Sequence, residues 1–107
     1  MEDWINILEY RDFYDVPRVF MVCFQAKLFL FDCPFDEGID DYPDEYEVFE
    51  LPHDFTEHAP SDWRRIQSFA SKHLGTVRLN EIEFDETRRE AVRAGIFRQI
   101  RKGTTHK

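Results

Sequence analysis

The sequence has 107 residues, a length typical of one domain that buries roughly two thirds of the surface of its unfolded chain. Its formal net charge of −8 argues against general affinity for nucleic acid or anionic lipid, whose binders carry clustered positive charge. No apolar run approaches the ~18 residues that span a bilayer, and the first residues are acidic where a secretory signal is basic, so we expect a cytoplasmic protein without a membrane partner.

Hydrophobic patterning predicts four strands in the first half of the chain. The first covers residues 4–10 and ends before "RDFYDVP", where Pro17 lacks an amide hydrogen. "RVFMVCF" and "KLFLFDC" predict a hairpin with a tight turn at residues 25–27. Because this hairpin is apolar on both faces, we expect it at the centre of a sheet that is covered twice. "EYEVFEL" predicts a fourth strand, and its carboxylates suit a sheet edge.

The second half of the chain predicts two helices and one further strand. Residues 60–62 supply helix start signals, and Gly75 is placed to end that helix. "TVRLNEIEF" predicts a fifth strand with a break near residues 80–81. Asp85 is placed to cap the second helix. The predicted core-facing residues are Trp63, Ile66, Phe69, Ala70 and Leu74 in the first helix and Val92, Ile96 and Ile100 in the second.

The element order β-β-β-β-α-β-α predicts an α+β fold, with a mostly antiparallel five-stranded sheet and two helices packed mainly on one face. We expect one globular domain over residues 1–107, with residues 103–107 as a frayed tail. Two short helices do not readily cover both faces of such a sheet. The remaining apolar face is therefore closed either by sheet curvature or by a homodimer through an aromatic sheet face.

The two cysteines, Cys23 and Cys33, fall in adjacent predicted strands but out of register with each other. We therefore expect two buried free thiols rather than a disulfide, as suits a reducing compartment. The pair lacks a CxxC spacing, so the sequence predicts neither a zinc site nor another cofactor.

Residues 36–50, here called the acidic segment, contain eight acids and no base. A site for calcium or magnesium requires converging carboxylates, but the EF-hand spacing is absent and Pro43 constrains the segment. A solvated loop is the simplest interpretation. Alternation of tyrosines with acids favours a second one, a surface that binds a basic partner. The residues predicted to bind that partner are Asp36, Asp40, Asp41, Tyr42, Asp44, Glu45 and Tyr46.

The histidines form no recognisable catalytic pattern. His53 and His58 flank two acids in a predicted linker, a set compatible with metal binding or acid–base chemistry. No nucleophile or third ligand lies at a recognisable spacing from them. His73 falls in the apolar stripe of the first predicted helix, which favours a hydrogen-bonded core histidine.

Arg88 and Arg89 fall in the first turn of the second predicted helix, where the helix dipole disfavours cations. This placement indicates a contact with a carboxylate or a phosphate, and the acidic segment is the simplest source. Solvent exposure and an external phosphate or RNA ligand are the alternatives, and Arg93 would join the other two arginines in a phosphate site.

These observations predict a small acidic protein-binding module of the inhibitor, immunity or adaptor type rather than an enzyme. Small acidic immunity proteins, antitoxins and nucleic-acid mimics share this combination of size and charge. The alternative function is a metal-dependent hydrolase or nuclease that uses carboxylates of residues 36–45 with His53 or His58.

Overall fold

The computed structural model describes residues 3–52, 55 and 63–101, and only the backbone at residues 63–65. Several sequence-based predictions lie outside these residues. They are the helix start at residues 60–62, the roles of His53 and His58, and the tail at residues 103–107.

The described chain folds into one antiparallel sheet of six strands rather than five. The strands are β1 (Trp4–Tyr14), β2 (Val16–Phe24), β3 (Lys27–Asp32), β4 (Glu45–Leu51), β5 (Lys72–Arg78) and β6 (Ala91–Arg93). Their order in the sheet is β5-β4-β3-β2-β1-β6. The helical segments among the described residues are short 3-10 turns, so the predicted α+β class is wrong and the fold is mostly β. None of them has the length and apolar character to cross a membrane.

The β2–β3 hairpin confirms the strongest local prediction. Phe20 pairs with Phe31 and Phe24 with Lys27, which leaves a two-residue turn. Both turn residues, Gln25 and Ala26, have positive φ angles of 53° and 64°, as the tight hairpin turn requires. The hydrophobic runs therefore predicted the two strands, and the observed turn sets their register, which pairs Cys23 with Leu28.

Strand β4 has the predicted bounds, but it lies inside the sheet and not at an edge. Its second neighbour is β5, in which residues 72–75 belong to the predicted first helix and residues 76–78 to the predicted fifth strand. Gly75 does not end a helix. It lies buried in β5 opposite Val48 with a φ angle of 145°, next to an irregularity in the register. The first helix is reduced to the 3-10 segment Trp63–Phe69.

The second predicted helix is replaced by a loop, a strand and a 3-10 turn. Asp85 caps the loop of residues 85–90, after which β6 pairs with β1 and the 3-10 segment Ala94–Arg98 follows. Val92 and Ile96 are nevertheless buried, as the helical spacing predicted. The predicted strand over residues 76–84 ends at Arg78, because the 3-10 turn Leu79–Glu81 follows it directly.

Two apolar cores lie on opposite faces of the sheet. The first contains Phe20, Phe31 and Tyr46 and is enclosed by Ile82 and Ile96 from the last part of the chain. The second core lies on the other face and consists of Val19, Met21, Leu28, Leu30, Phe49, Leu51, Phe55 and Ile66. The predicted double covering of the hairpin is therefore achieved within one chain.

The last described residues partly close the sheet. Thr76 of β5 and Arg101 exchange two backbone hydrogen bonds of 2.8 and 2.7 Å, so the chain that follows β6 returns to the opposite edge strand. The Arg101 guanidinium also forms a two-pronged ion pair with Glu81 at 2.7 and 2.6 Å. Residues from the last part of the same chain cover the first core.

Candidate functional surface

Three connections meet at one end of the sheet, because neighbouring strands are antiparallel. They are the β1–β2 turn at Asp15, the β3–β4 loop of residues 33–44, and the loop of residues 85–90, here called the arginine loop. Most of the residues that the sequence singled out lie in these connections. This end of the molecule is therefore the candidate site.

The β3–β4 loop is held at its base and folded on itself. At the base, the Cys33 amide donates to the carbonyl of Arg18 at 2.7 Å, and the Cys33 thiol donates to the carbonyl of Pro43 at 3.2 Å. Further out, the Asp36 amide donates to the carbonyl of Asp41 at 2.9 Å. The Asp36 carboxylate accepts from the Gly38 amide at 2.8 Å. These bonds give the loop a defined shape before any partner binds.

Three rings, here called the aromatic cluster, cover the base of this loop. Tyr14 stacks on Tyr42 with ring centroids 5.5 Å apart, and Phe35 meets Tyr42 edge to face at 5.3 Å. Tyr14 is 56% exposed and Phe35 is 48% exposed. Ile39, at the tip of the loop, is also exposed. Large exposed apolar groups that lie side by side are typical of contact surfaces.

Arg18 lies buried beneath the aromatic cluster. It is only 8% exposed, and its guanidinium carbon lies 4.6 Å from the centroid of the Tyr42 ring. The guanidinium donates to the Tyr14 carbonyl at 3.0 Å and to the sulfur of Cys33 at 3.8 Å. Burial raises the pKa of Cys33 despite this cation, so the thiol stays protonated at neutral pH and acts as a donor.

The carboxylates of the β3–β4 loop make no ion pair with another described residue. The ion pairs in the described part of the chain are Arg11 with Glu9, Arg93 with Glu83 and Arg101 with Glu81, and His73 lies 3.6 Å from Glu47. Asp36, Glu37, Asp40, Asp41 and Asp44 are all exposed. Their charges are therefore exposed to solvent on the loop that also carries Phe35 and Tyr42.

Arg88 and Arg89 do not pair with the acidic segment. Arg88 donates to the carbonyl of Asp15 at 3.2 Å, and the guanidinium of Arg89 lies 3.9 Å from the centre of the Phe13 ring. Arg93 is separate from both, because it lies in β6 over the ring of Trp4. The predicted three-arginine phosphate site is therefore divided between two places.

Asp85 fixes the shape of the arginine loop. Its carboxylate accepts hydrogen bonds of 3.0 Å from the amides of Thr87, Glu90 and Ala91. Burial alone would raise the pKa of Asp85, but the hydrogen bonds from the Thr87 side chain and from these amides lower it to about 2. The carboxylate is thus ionised at neutral pH, and it holds the arginines at the tip of a tight loop.

Two residues of the predicted partner site lie elsewhere. Tyr46 is fully buried in the first core, and its hydroxyl donates to the carbonyl of Pro17 at 2.6 Å. Burial also raises its pKa, so the phenol remains a donor. Glu45 is the exposed first residue of β4, opposite Arg78. Asp36, Asp40, Asp41, Tyr42 and Asp44 are the members that share the loop.

Tyr14, Phe35 and Arg18 belong to this surface but were missed by sequence reasoning. Arg18 alternates with Phe20 and Val22, so a period of two already placed it on the core face of its strand. Tyr14 was assigned to a break after the first strand, whereas β1 continues to that residue.

The structure corrects two further site predictions. His73 is not a core residue, because it is exposed in β5 and lies 3.6 Å from the carboxylate of Glu47. Cys23 is exposed rather than buried, although Cys33 is buried. Within the described residues, no three histidine, cysteine, aspartate or glutamate side chains converge in a way that would hold a metal ion.

Comparison with protein-family models, with curated proteins and with solved structures finds no match to this chain. The surface is therefore interpreted from its own geometry and charge.

Proposed function

We propose that this chain is a non-enzymatic binding module of the inhibitor, immunity or adaptor type, which docks a basic protein partner. The docking surface consists of the aromatic cluster together with the loop carboxylates Asp36, Glu37, Asp40, Asp41 and Asp44. One observation carries the proposal: a loop folded by its own hydrogen bonds combines a cluster of three rings with exposed carboxylates that make no ion pair with a described residue.

The two kinds of group have complementary roles in such a surface. Aromatic rings bury area at little entropic cost, since a ring has few rotamers to lose. Carboxylates attract a basic partner from a distance and disfavour acidic competitors. Because the loop is already folded by its own hydrogen bonds, binding does not require it to become ordered.

A displayed library of random peptides tests this proposal without knowledge of the natural partner. We expect the wild-type protein to enrich peptides that combine lysine or arginine with aromatic residues. The triple variant Asp40→Asn, Asp41→Asn, Asp44→Asn should lose this enrichment. A synthetic peptide chosen from the enriched set should bind the variant at least about tenfold more weakly at low salt, because several charge contacts are removed together.

The matched control removes three carboxylates elsewhere on the molecule. Asp3→Asn, Glu9→Gln and Glu50→Gln change the net charge by the same amount but lie outside the docking surface. This control should keep both the enrichment and the affinity. Equal loss in both triple variants would indicate a general effect of charge and would contradict the proposed surface, as would unchanged binding by the loop variant.

The metal-dependent alternative gains no support from the described residues. The carboxylates of the β3–β4 loop are exposed, and they do not converge on one point with histidine or cysteine. That mechanism requires His53 or His58, and both lie outside the described part of the chain.

A further inference from the structure

Arg88 and Arg89 lie next to the docking surface on the side away from its carboxylates. A series of contacts shows that the aromatic rings lie between the loop carboxylates and the arginines. Phe35 contacts Tyr42, and Tyr42 stacks on Tyr14. The next residue along the chain from Tyr14 is Asp15, and its carbonyl accepts the hydrogen bond from Arg88. Acids, rings and arginines thus follow one another across this end of the sheet.

The two arginines differ from three other arginines of this acidic protein. Arg11, Arg93 and Arg101 each pair with a carboxylate. In the described structure, Arg88 and Arg89 contact only backbone carbonyls and a phenylalanine ring, although acids outnumber bases 22 to 14 in the chain. A guanidinium carries five donors, so both residues retain donors for an external anion.

We infer that Arg88 and Arg89 form a second anchor of the docking surface, and that the partner carries an acidic group beside its basic segment. This inference rests on the proposed function. The basic part of the partner faces the β3–β4 loop, its apolar side chains cover the aromatic cluster, and its carboxylates pair with the arginine loop. Opposite charges at the two ends of one surface allow a single orientation of the bound segment.

The arginine loop is suited to this role because it is already ordered. Asp85 accepts three backbone hydrogen bonds within the loop, and Arg88 has the left-handed φ angle of 62°. The bonds from Arg88 to Asp15 and the contact of Arg89 with Phe13 join the loop to the β1–β2 turn. Asp15 and Phe13 directly follow and precede Tyr14 in the sequence, so these two contacts hold both guanidinium groups near Tyr14.

The same peptide library separates this inference from the proposed function. We expect wild-type protein to enrich peptides in which aspartate or glutamate follows or precedes the basic residues at a constant spacing. The double variant Arg88→Gln, Arg89→Gln should keep the basic preference and lose the acidic one. In the control Lys27→Gln, Lys72→Gln, two exposed cations are removed at the opposite end of the sheet, and both preferences should remain.

A double-mutant cycle gives the quantitative test. Replacing the acidic residues of an enriched peptide by glutamine should weaken binding to the wild type about three- to tenfold and leave binding to the arginine variant nearly unchanged. Wild-type enrichment of basic peptides without acidic residues would overturn the inference and leave the proposed function intact. An acidic preference that persists in the arginine variant would also overturn it. Absence of basic residues from the enriched peptides would overturn the proposed function and this inference together.

Discussion

Arg18 places a buried positive charge beneath a surface that is otherwise acidic. Its guanidinium joins the backbone of β1 to the base of the β3–β4 loop, through the Tyr14 carbonyl and the sulfur of Cys33. It also lies under the Tyr42 ring, in the geometry of a cation–π contact. A single side chain thus supports both the rings and the loop that carries the carboxylates.

Asp85 has a comparable role under the arginine loop, and its ionisation provides a test. Replacement by alanine removes the acceptor of three backbone amides and should lower the free energy of unfolding by about 1 kcal/mol at neutral pH, as for the loss of a helix cap. Chemical denaturation of the wild type and of Asp85→Ala measures this difference.

The pH dependence of that difference follows from the direction of the pKa shift. The pKa of Asp85 falls from 3.8 to about 2 on folding, so the ionised carboxylate stabilises the protein above about pH 4. That contribution should disappear as the pH falls towards 2, and the two proteins should converge. The control is Glu86→Ala in the same loop, whose side chain makes no hydrogen bond to a described residue, and it should match the wild type. A constant difference down to pH 2 would contradict this account.

At the level of elements, pairing with β5 makes β4 an interior strand of the sheet. Without β5, β4 would be an edge strand, as its carboxylates indicated. With β5 in place, Val48 is fully buried and Glu47 and Glu50 are only partly exposed. Formation of β5 requires the backbone at Gly75 to adopt a conformation that side chains rarely permit.

Gly75→Ala tests the importance of that position. A φ angle of 145° is unfavourable for alanine, so we expect a loss of about 1–3 kcal/mol in the free energy of unfolding. The control is Gly38→Ala, because Gly38 is exposed, its φ is not positive, and the nearest atom to an added side chain is a carboxylate oxygen of Asp36 at 3.1 Å. Thermal and denaturant unfolding compare the two variants. Equal losses of stability in the two variants would show that the positive φ angle of Gly75 is not the cause of the loss.

At the level of the whole molecule, charge is separated across one end of the sheet. The loop carboxylates and the arginine loop lie on either side of the β1–β2 turn. Among the described residues, no loop carboxylate pairs with Arg88 or Arg89. Both cores, in contrast, are enclosed by residues of a single chain. Of the aromatic cluster, Tyr42 also packs against the first core.

Because both cores are enclosed within one chain, we expect the protein to be a monomer. The homodimer hypothesis depended on an uncovered aromatic sheet face, but Met21, Leu30 and Phe49 are buried by Phe55 and Ile66 of the same chain. We expect light scattering to give the mass of one chain over a wide range of concentration. A dimer mass at low concentration would show that an apolar surface other than this face joins two copies.

Local patterns determined a substantial part of this structure. The hydrophobic runs of β2 and β3, the bounds of β4 and the two-sided covering of the hairpin could all be derived from side-chain alternation. The prediction that acids and tyrosines share one loop placed Asp36, Asp40, Asp41, Tyr42 and Asp44 correctly in one connection. Each of these inferences depends on residues that are close together in the sequence.

Only the tertiary structure decided the second half of the chain and the composition of the surface. The sequence predicts helices over residues 72–75 and 91–93, but pairing with β4 and β1 satisfies their backbone groups and overrides that preference. Tyr14 and Arg18 join the β3–β4 loop because the antiparallel topology brings three connections to one end of the sheet. Such contacts depend on which strands become neighbours, and that choice is made by the packing of the whole chain rather than by any local run of residues.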